Sequence, residues 1–512
     1  MSVSQAGTDM HPQAESTRTG FLDRWFSTWF EPVPIHGLVL FRVVLGVLIA
    51  YLIVDKYIGL KLLEEYYIRP GFNFNYYGFS WVKPLPGNGM YYVFWGMFAA
   101  ALGVAAGFCY RFSAFALWLT WTYIFLCEKA VYQNHHYLVL LLTFWMIFIP
   151  AHKLFSIDVL FRKNLRSTTA PAWSLWTIRL LIAIPYVYGS FAKMNPDWLT
   201  AQPVWVWMNR GGIATMMPDS FKTIPVAYFI SYYGLLFDLL VVPALFWGRT
   251  RLLACVCILA FHLTNTMIFR IGIFPPLMIS ATLLFFPKDF IPNALAAWRK
   301  EKKFDWSILW RTEHITVPDS VVAAPFRPSQ KLLIFALILF FGFQFLFPFR
   351  HFLYAGNPAW NGRGDIFAWR MMLDDKIGQV MFELRDFKQM RVMQVRTLDP
   401  NKPLHLNKVQ QFSMLRLPDM ILQYAHFIED GYVKSQGGKV TPEDVKVFAV
   451  VGISLNARPY KLLLNPEVDL TEVQRTLMES NDWVFPTEEA SEAYLKESGY
   501  QLFNMGQEEE KK

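Results

Sequence analysis

Apolar runs long enough to cross a bilayer alternate with short polar loops over the first two thirds of the chain. A span needs about 20 predominantly apolar residues. The pattern predicts about nine of them: 34–54 (PIHGLVLFRVVLGVLIAYLIV), 88–110, 112–132, 135–152, 172–193, 225–247, 252–269, 271–287 and 331–349. The opening residues, MSVSQAGTDMHPQAESTRTG, lack the apolar core of a signal peptide, so the first span is expected to act as its own insertion signal. After residue 350 the period changes. Residues 377–397 alternate in polarity like two strands joined by a short turn, 446–455 and 458–465 read as further strands, and 470–480 reads as an amphipathic helix. The tail GQEEEKK is expected to fray. The expected fold is mainly α, with an N-terminal segment (1–33), a polytopic helical membrane bundle (34–349), a small external α+β domain (350–505) and a charged tail (506–512).

Composition supports a membrane protein. Of the 512 residues, 54% are hydrophobic, 17% aromatic and 17% charged, against about 25% charged in ordinary soluble domains. A disordered chain is excluded, a purely soluble enzyme disfavoured, and four cysteines are too few for a disulfide scaffold. The net charge of +8 reads as topology, not as a nucleic-acid footprint. Basic residues gather in the loops after the fourth span (Lys153, Arg162, Lys163, Arg166), the sixth (Arg249, Arg251) and the eighth (Lys288 to Arg327). With nine spans these loops share one side, which the positive-inside rule makes cytoplasmic. The N-terminus is then cytoplasmic and everything after Arg350 extracytoplasmic. The loop at 55–87 dissents with Lys56, Lys61, Arg69 and Lys83, beside Asp55, Glu64 and Glu65.

Ionisable side chains inside a span cost about 2.5–3.5 kcal/mol on insertion scales and so point to function. Four places stand out: Arg42 in the first span, Asn134, His135 and His136 at the head of the fourth, Lys193 at the end of the fifth, and His262 with Asn265 in the seventh. The proposed topology puts His135, Lys193 and His262 in one layer, the outer leaflet. Burial in apolar surroundings favours a neutral amine, so Lys193 is a candidate base, and His135 a proton donor or acceptor beside it. Each residue also has a bland reading. Arg42 can pair with Asp238 as a structural ion pair, the two histidines can be interfacial, His262 can be a hydrogen-bonded core residue, and Lys193 can snorkel to the headgroups. No HExxH, CxxC, GxGxxG, Walker or nucleophile-elbow motif is present, so metal, nucleotide and serine-hydrolase chemistry have no support.

The segments FRVVLG (41–46), NHHYL (134–138), IDVL (157–160), AKMNPDWL (192–199), GLLFDL (234–239), FHLTN (261–265), RHFLYAGNPAW (350–360), FAWRMM (367–372) and ISLNARPYKLLLNPEVD (453–469) resemble, in order, the vitamin K-dependent gamma-carboxylase family, whose membrane part is the HTTM domain. The resemblance covers roughly residues 35–470. It implies a membrane-embedded gamma-glutamyl carboxylase that couples epoxidation of reduced vitamin K, or a related quinol, by O2 to CO2 addition at the γ-carbon of peptidyl glutamate, without a metal. It also implies Lys193 as the base, with His135 assisting, and Asn134 at the glutamate site. Trp369, Met371 and Met372 match the family's Trp-x-Met-Met on the substrate side, and His262 and Asn265 its Phe-His-x-x-Asn on the cofactor side. Arg42 joins the substrate-binding set. The implied partners are a glutamate-containing secreted polypeptide and the quinol pool of the bilayer, with no nucleic acid. Two departures stand out. The stretch Gly364-Asp365-Ile366-Phe367-Ala368 lacks the family's tyrosine, and the sequence ends at Lys512, where the animal enzymes continue. The same residues also admit another quinone- or lipid-linked reaction, or a non-catalytic membrane scaffold.

Overall fold

A computed structural model describes residues 21–269, 271–312, 326–395, 397, 405–476 and 483–500. Each expected span corresponds to a helix: α1 (His36–Leu52), α2 (Gly89–Ala106), α3 (Tyr110–Cys127), α4 (Asn134–Phe148), α5 (Ala172–Lys193), α6 (Ile224–Phe246), α7 (Gly248–Phe269), α8 (Phe274–Ala281) and α9 (Pro328–Leu346). Among the described residues, six helices are long and apolar enough to cross a membrane. A seventh is added if Phe274–Phe285 and Phe290–Trp298, bent by 96°, are taken as one broken span. The expected count of about nine is therefore reduced. Helix α4 is only 15 residues long, and α3 is diluted by Arg111 and by several Thr, Tyr and Trp residues. Close crossings hold the bundle together. A Cβ on Gly46 of α1 would lie 2.5 Å from the Ala101 carbonyl oxygen of α2, so only glycine admits this approach.

The C-terminal region is an antiparallel sheet with strand order β2-β1-β3-β4, built from β1 (Lys376–Asp386), β2 (Arg391–Val395), β3 (Val445–Leu455) and β4 (Lys461–Leu462). The expected hairpin in 377–397 is β1–β2, closed where the Asp386 carboxylate accepts the backbone N–H groups of Lys388 and Gln389. Strand β3 pairs with β1 from Lys376↔Leu455 to Asp386↔Val445. Its alternate residues Val445, Val447, Ala449, Val451 and Ile453 are buried, the period-2 signature of a strand with one face on a core. That core is completed by α10 (Lys408–Arg416) and α11 (Pro418–Ser435), with α12 (Glu488–Ser498) packed beside β4. The helix expected at 470–480 is not formed over 471–476, and the rest of that segment lies outside the described residues. Tertiary ties replace it: Asp469 accepts from Thr471, the Leu470 N–H donates to Val447, and Arg475 is drawn to Asp419 and Asn75. The expected charged tail, 506–512, also lies outside the described residues.

Loops from one end of the bundle are part of this external core. Phe74, after α1, and Ala130, after α3, pack in the same apolar cluster as Tyr424 and Val447. Ion pairs seal the joint: Lys129 and Arg475 both donate to the buried Asp419, and the half-buried Arg458 grips Asp197 at 2.9 Å. The end of α3, the start of α4 and the end of α5 therefore lie on the side of the external domain. Removing one partner from a buried ion pair costs about 3–5 kcal/mol. Asp419→Ala is thus expected to loosen the joint, seen as faster hydrogen exchange across 69–75 and 128–133; unchanged exchange there would refute this role.

Candidate active site beneath the external domain

Lys193 is the last residue of α5, and its amine turns inward, away from the headgroup level. Nζ lies 2.6 Å from Oδ2 of Asp238 on α6 and 3.5 Å from the carbonyl of Gly189, one turn back on its own helix. Both side chains of the pair are buried. Small residues make the space: a Cβ on Gly189 would lie 2.9 Å from Asp238 Oδ2, and one on Gly234 would lie 3.9 Å from Lys193 Cε. The amine also faces the Trp198 ring, 5.3 Å from its centroid, at a distance where the ring quadrupole favours a cation. Trp198 is fixed in turn, since its indole N–H donates to the Ser231 carbonyl and Asn195 caps its short helix.

Two turns deeper on α5, the Tyr186 hydroxyl is 2.8 Å from Nε2 of His262 on α7. The other ring nitrogen of His262, Nδ1, is buried without a partner among the described residues. Phe274, at the start of α8, stands between the two expected histidines, its ring 5.7 Å from that of His262 and 5.8 Å from that of His135. Phe237 and Phe261 stack at 4.2 Å beside them. Asn265 sits three residues beyond His262 and is half-buried.

The upper wall is a loop of the external domain. Asn134 donates to the Arg370 carbonyl at 3.1 Å and accepts from the Tyr132 hydroxyl at 2.9 Å, and that same hydroxyl accepts the Phe367 N–H at 2.7 Å. Trp369 is fully buried over Tyr137, ring centroids 5.2 Å apart, while the Tyr137 hydroxyl donates to Gln344 of α9. Phe367, Trp369 and Met372 all have positive φ. Such a backbone costs about 1–3 kcal/mol per non-glycine residue and persists only where the surroundings impose it. Met371 is half-buried and Met372 exposed. The Trp369 indole N–H, like His262 Nδ1, is buried without a partner among the described residues.

Arg42 is not brought to this group. It donates to the carbonyls of Ala151, Ala105 and Phe155 at the other end of the bundle, against Gly107, so it clamps helix ends and does not pair with Asp238. Of the other site residues expected from the sequence, Lys193 meets Asp238, His135 and His262 share Phe274 as a neighbour, and Asn134 is tied to the 367–372 loop that carries Trp369, Met371 and Met372, while Asn265 is placed only by its position on α7. Asp238 as partner of Lys193, Tyr186, Tyr132 and Phe274 are additions. Asp238 was visible as the lone acid of its span, but pairing across helices leaves no trace in local spacing. Aromatic rings and two buried N atoms without partners among the described residues, His262 Nδ1 and Trp369 Nε1, are the features here that a flat aromatic diol would need. Among the described residues no group of His, Cys, Asp or Glu is placed to hold a metal ion.

This arrangement defines a polytopic membrane protein with a buried ionisable site roofed by an external α+β domain. A family model described as the HTTM domain matches residues 30–290, and one described as the vitamin K-dependent gamma-carboxylase lumenal domain matches 329–490. The chain belongs to the vitamin K-dependent gamma-carboxylase family. No solved structure matches it.

The Tyr132 hydroxyl ties the roof to Asn134, and leaving a buried polar group unpaired costs about 1–3 kcal/mol. Tyr132→Phe is expected to raise hydrogen exchange in the 365–372 loop while the unfolding temperature falls only slightly. A loop as protected as in the parent would contradict the assignment.

Proposed function

We propose that this chain is a quinol-dependent gamma-glutamyl carboxylase, its N-terminus cytoplasmic and its external domain facing the compartment that holds secreted polypeptides. The observation that carries this reading is the Lys193–Asp238 pair, an amine and a carboxylate 2.6 Å apart in an apolar bundle, inside a chain of this family. Reduced vitamin K, or a related quinol, oxidised by O2, would supply a base strong enough to take the γ-proton of a glutamyl residue, after which CO2 adds at that carbon.

Lys193 and Asp238 share one proton between Nζ and Oδ2, 2.6 Å apart, as one neutral unit, and this unit receives the proton of the quinol, ending with Nζ as an ammonium and Asp238 as a carboxylic acid. The positive charge the unit gains is matched by the negative charge left on the donor, so the site stays neutral overall in a medium where a net charge is costly. His262, fixed by Tyr186, and the Trp369 indole offer their unpartnered N atoms to the oxygens of the quinol. His135 moves a proton on the glutamate side, with Asn134 held in place by Tyr132 and Arg370. Trp369, Met371 and Met372 close the site from the external side and exclude water, which would otherwise quench a strong base. The lipophilic quinol arrives from the bilayer, the peptide from outside.

The missing tyrosine in 364–368 favours a second reading, in which the same pocket oxidises a quinol without carboxylating a peptide. One assay separates them: membranes containing the protein receive a glutamate-containing peptide, reduced vitamin K, O2 and labelled CO2. Carboxylation predicts label in the peptide together with quinol epoxidation, and a loss of both of at least about 100-fold in Lys193→Ala. Quinol oxidised with no label in the peptide selects the second reading. Full activity in Lys193→Ala refutes both.

A further inference from the structure

The end of the bundle opposite the external domain carries a built basic groove that the proposed chemistry does not use. Helix Phe290–Trp298 ends with Lys300 in the left-handed region (φ 60°), its last turn closed by the N–H groups of Arg299, Lys300 and Glu301. The chain then folds back. The buried Asn293 side chain donates to the Asp305 carbonyl, and Phe304 packs edge-on against Phe290 at 6.1 Å. The fold-back leaves a groove of about 670 Å³ lined by Ala297, Lys300, Lys302, Lys303, Phe304 and Trp306. It lies beside the start of α7, where Arg251 binds the carbonyls of Leu309 and Arg311, and so at the far end of α6 from Trp198.

The local acids lie at ion-pair distance from arginines, and Asp305 also attracts Lys302 at longer range. Asp289 and Asp305 face Arg311 at 3.6 and 3.5 Å, and Glu301 lies 3.9 Å from Arg299. Among the described residues no carboxylate is within ion-pair distance of Lys300, Lys302 or Lys303. Around these lysines three tryptophans point outward: Trp298 is 80% exposed, Trp306 70% and Trp310 55%. Tryptophan is enriched where a protein crosses the headgroup layer, and a basic pocket at that level suits an anionic headgroup. Unpaired ammonium groups set among headgroup-level indoles match a phosphate carried on a lipid better than one free in water.

We propose that this groove binds the phosphate of an anionic phospholipid in the leaflet opposite the external domain, with Lys300, Lys302 and Lys303 as donors and Trp298 and Trp306 flanking the headgroup. The test uses the full chain purified in detergent and titrated with phosphatidylglycerol, phosphatidylcholine or inorganic phosphate, with bound lipid read by native mass spectrometry. The protein is expected to take up phosphatidylglycerol saturably, with neither phosphatidylcholine nor inorganic phosphate competing. At about 1 kcal/mol per basic residue near an anionic headgroup, the triple change Lys300→Gln, Lys302→Gln, Lys303→Gln is expected to weaken binding about 100-fold. Each single change should weaken it about fivefold, which keeps the test open if the triple variant does not fold. Lys153→Gln with Lys163→Gln, on another basic loop, should leave binding unchanged. Three results would overturn the proposal: undiminished binding in the groove variants, an equal loss in the Lys153/Lys163 control, or displacement by inorganic phosphate, which would mark a simple anion site.

Discussion

An ammonium and a carboxylate 2.6 Å apart in the apolar bundle are the constraint around which the site is arranged. Either ion alone costs about 2.5–3.5 kcal/mol to place at the centre of a span, and a buried ion robbed of its partner costs about 3–5 kcal/mol. Lys193 and Asp238 are therefore tolerated only as a pair, which obliges α5 and α6 to stay in contact at this level. The neighbouring sequence serves the same contact. Gly189 and Gly234 clear room for the two side chains, and Trp198 presents a π face to the amine. Two turns along the same helix, the Tyr186 hydroxyl holds His262 through its hydrogen bond.

The external domain completes what the bundle cannot. Its 367–372 loop reaches the head of α4, where one hydroxyl, that of Tyr132, meets both the loop backbone and Asn134. The positive-φ residues of that loop hold their shape because Trp369 is anchored on Tyr137 and the whole domain is locked down by the Asp419 and Asp197 ion clusters. Under the proposed function, this division would let a lipid-soluble reactant arrive from the bilayer and a water-soluble one from the external side.

Much of this was legible in the chain. Apolar runs marked the helices of the bundle, alternation marked the β1–β2 hairpin and β3, and costly ionisable residues marked Lys193, His135 and His262. What escaped has a common cause: it depends on contacts between distant segments. Asp238 stood out as a lone acid, but its partner is decided by which helices touch, and the expected partner, Arg42, satisfies backbone carbonyls at the other end of the bundle. The 470–480 segment has a helical pattern, yet Leu470 and Arg475 are claimed by the sheet and by Asp419. Helices α10 and α11 drew no notice because their apolar faces match a sheet that only the fold assembles. Tyr132 and Tyr186 resemble many other aromatic residues in a chain with 23 tyrosines, and only geometry separates them.

The central claim is that Lys193 and Asp238 act as one proton-holding unit. The most direct measurement is a double-mutant cycle on quinol-dependent O2 uptake, using Lys193→Met, Asp238→Leu and the combination, which replaces the ion pair with apolar side chains and so avoids an orphaned charge. The account predicts a large loss in each single variant and little further loss in the double, as for residues that work as a unit. Losses that multiply, or an Asp238→Leu protein that retains the parent rate, would contradict it.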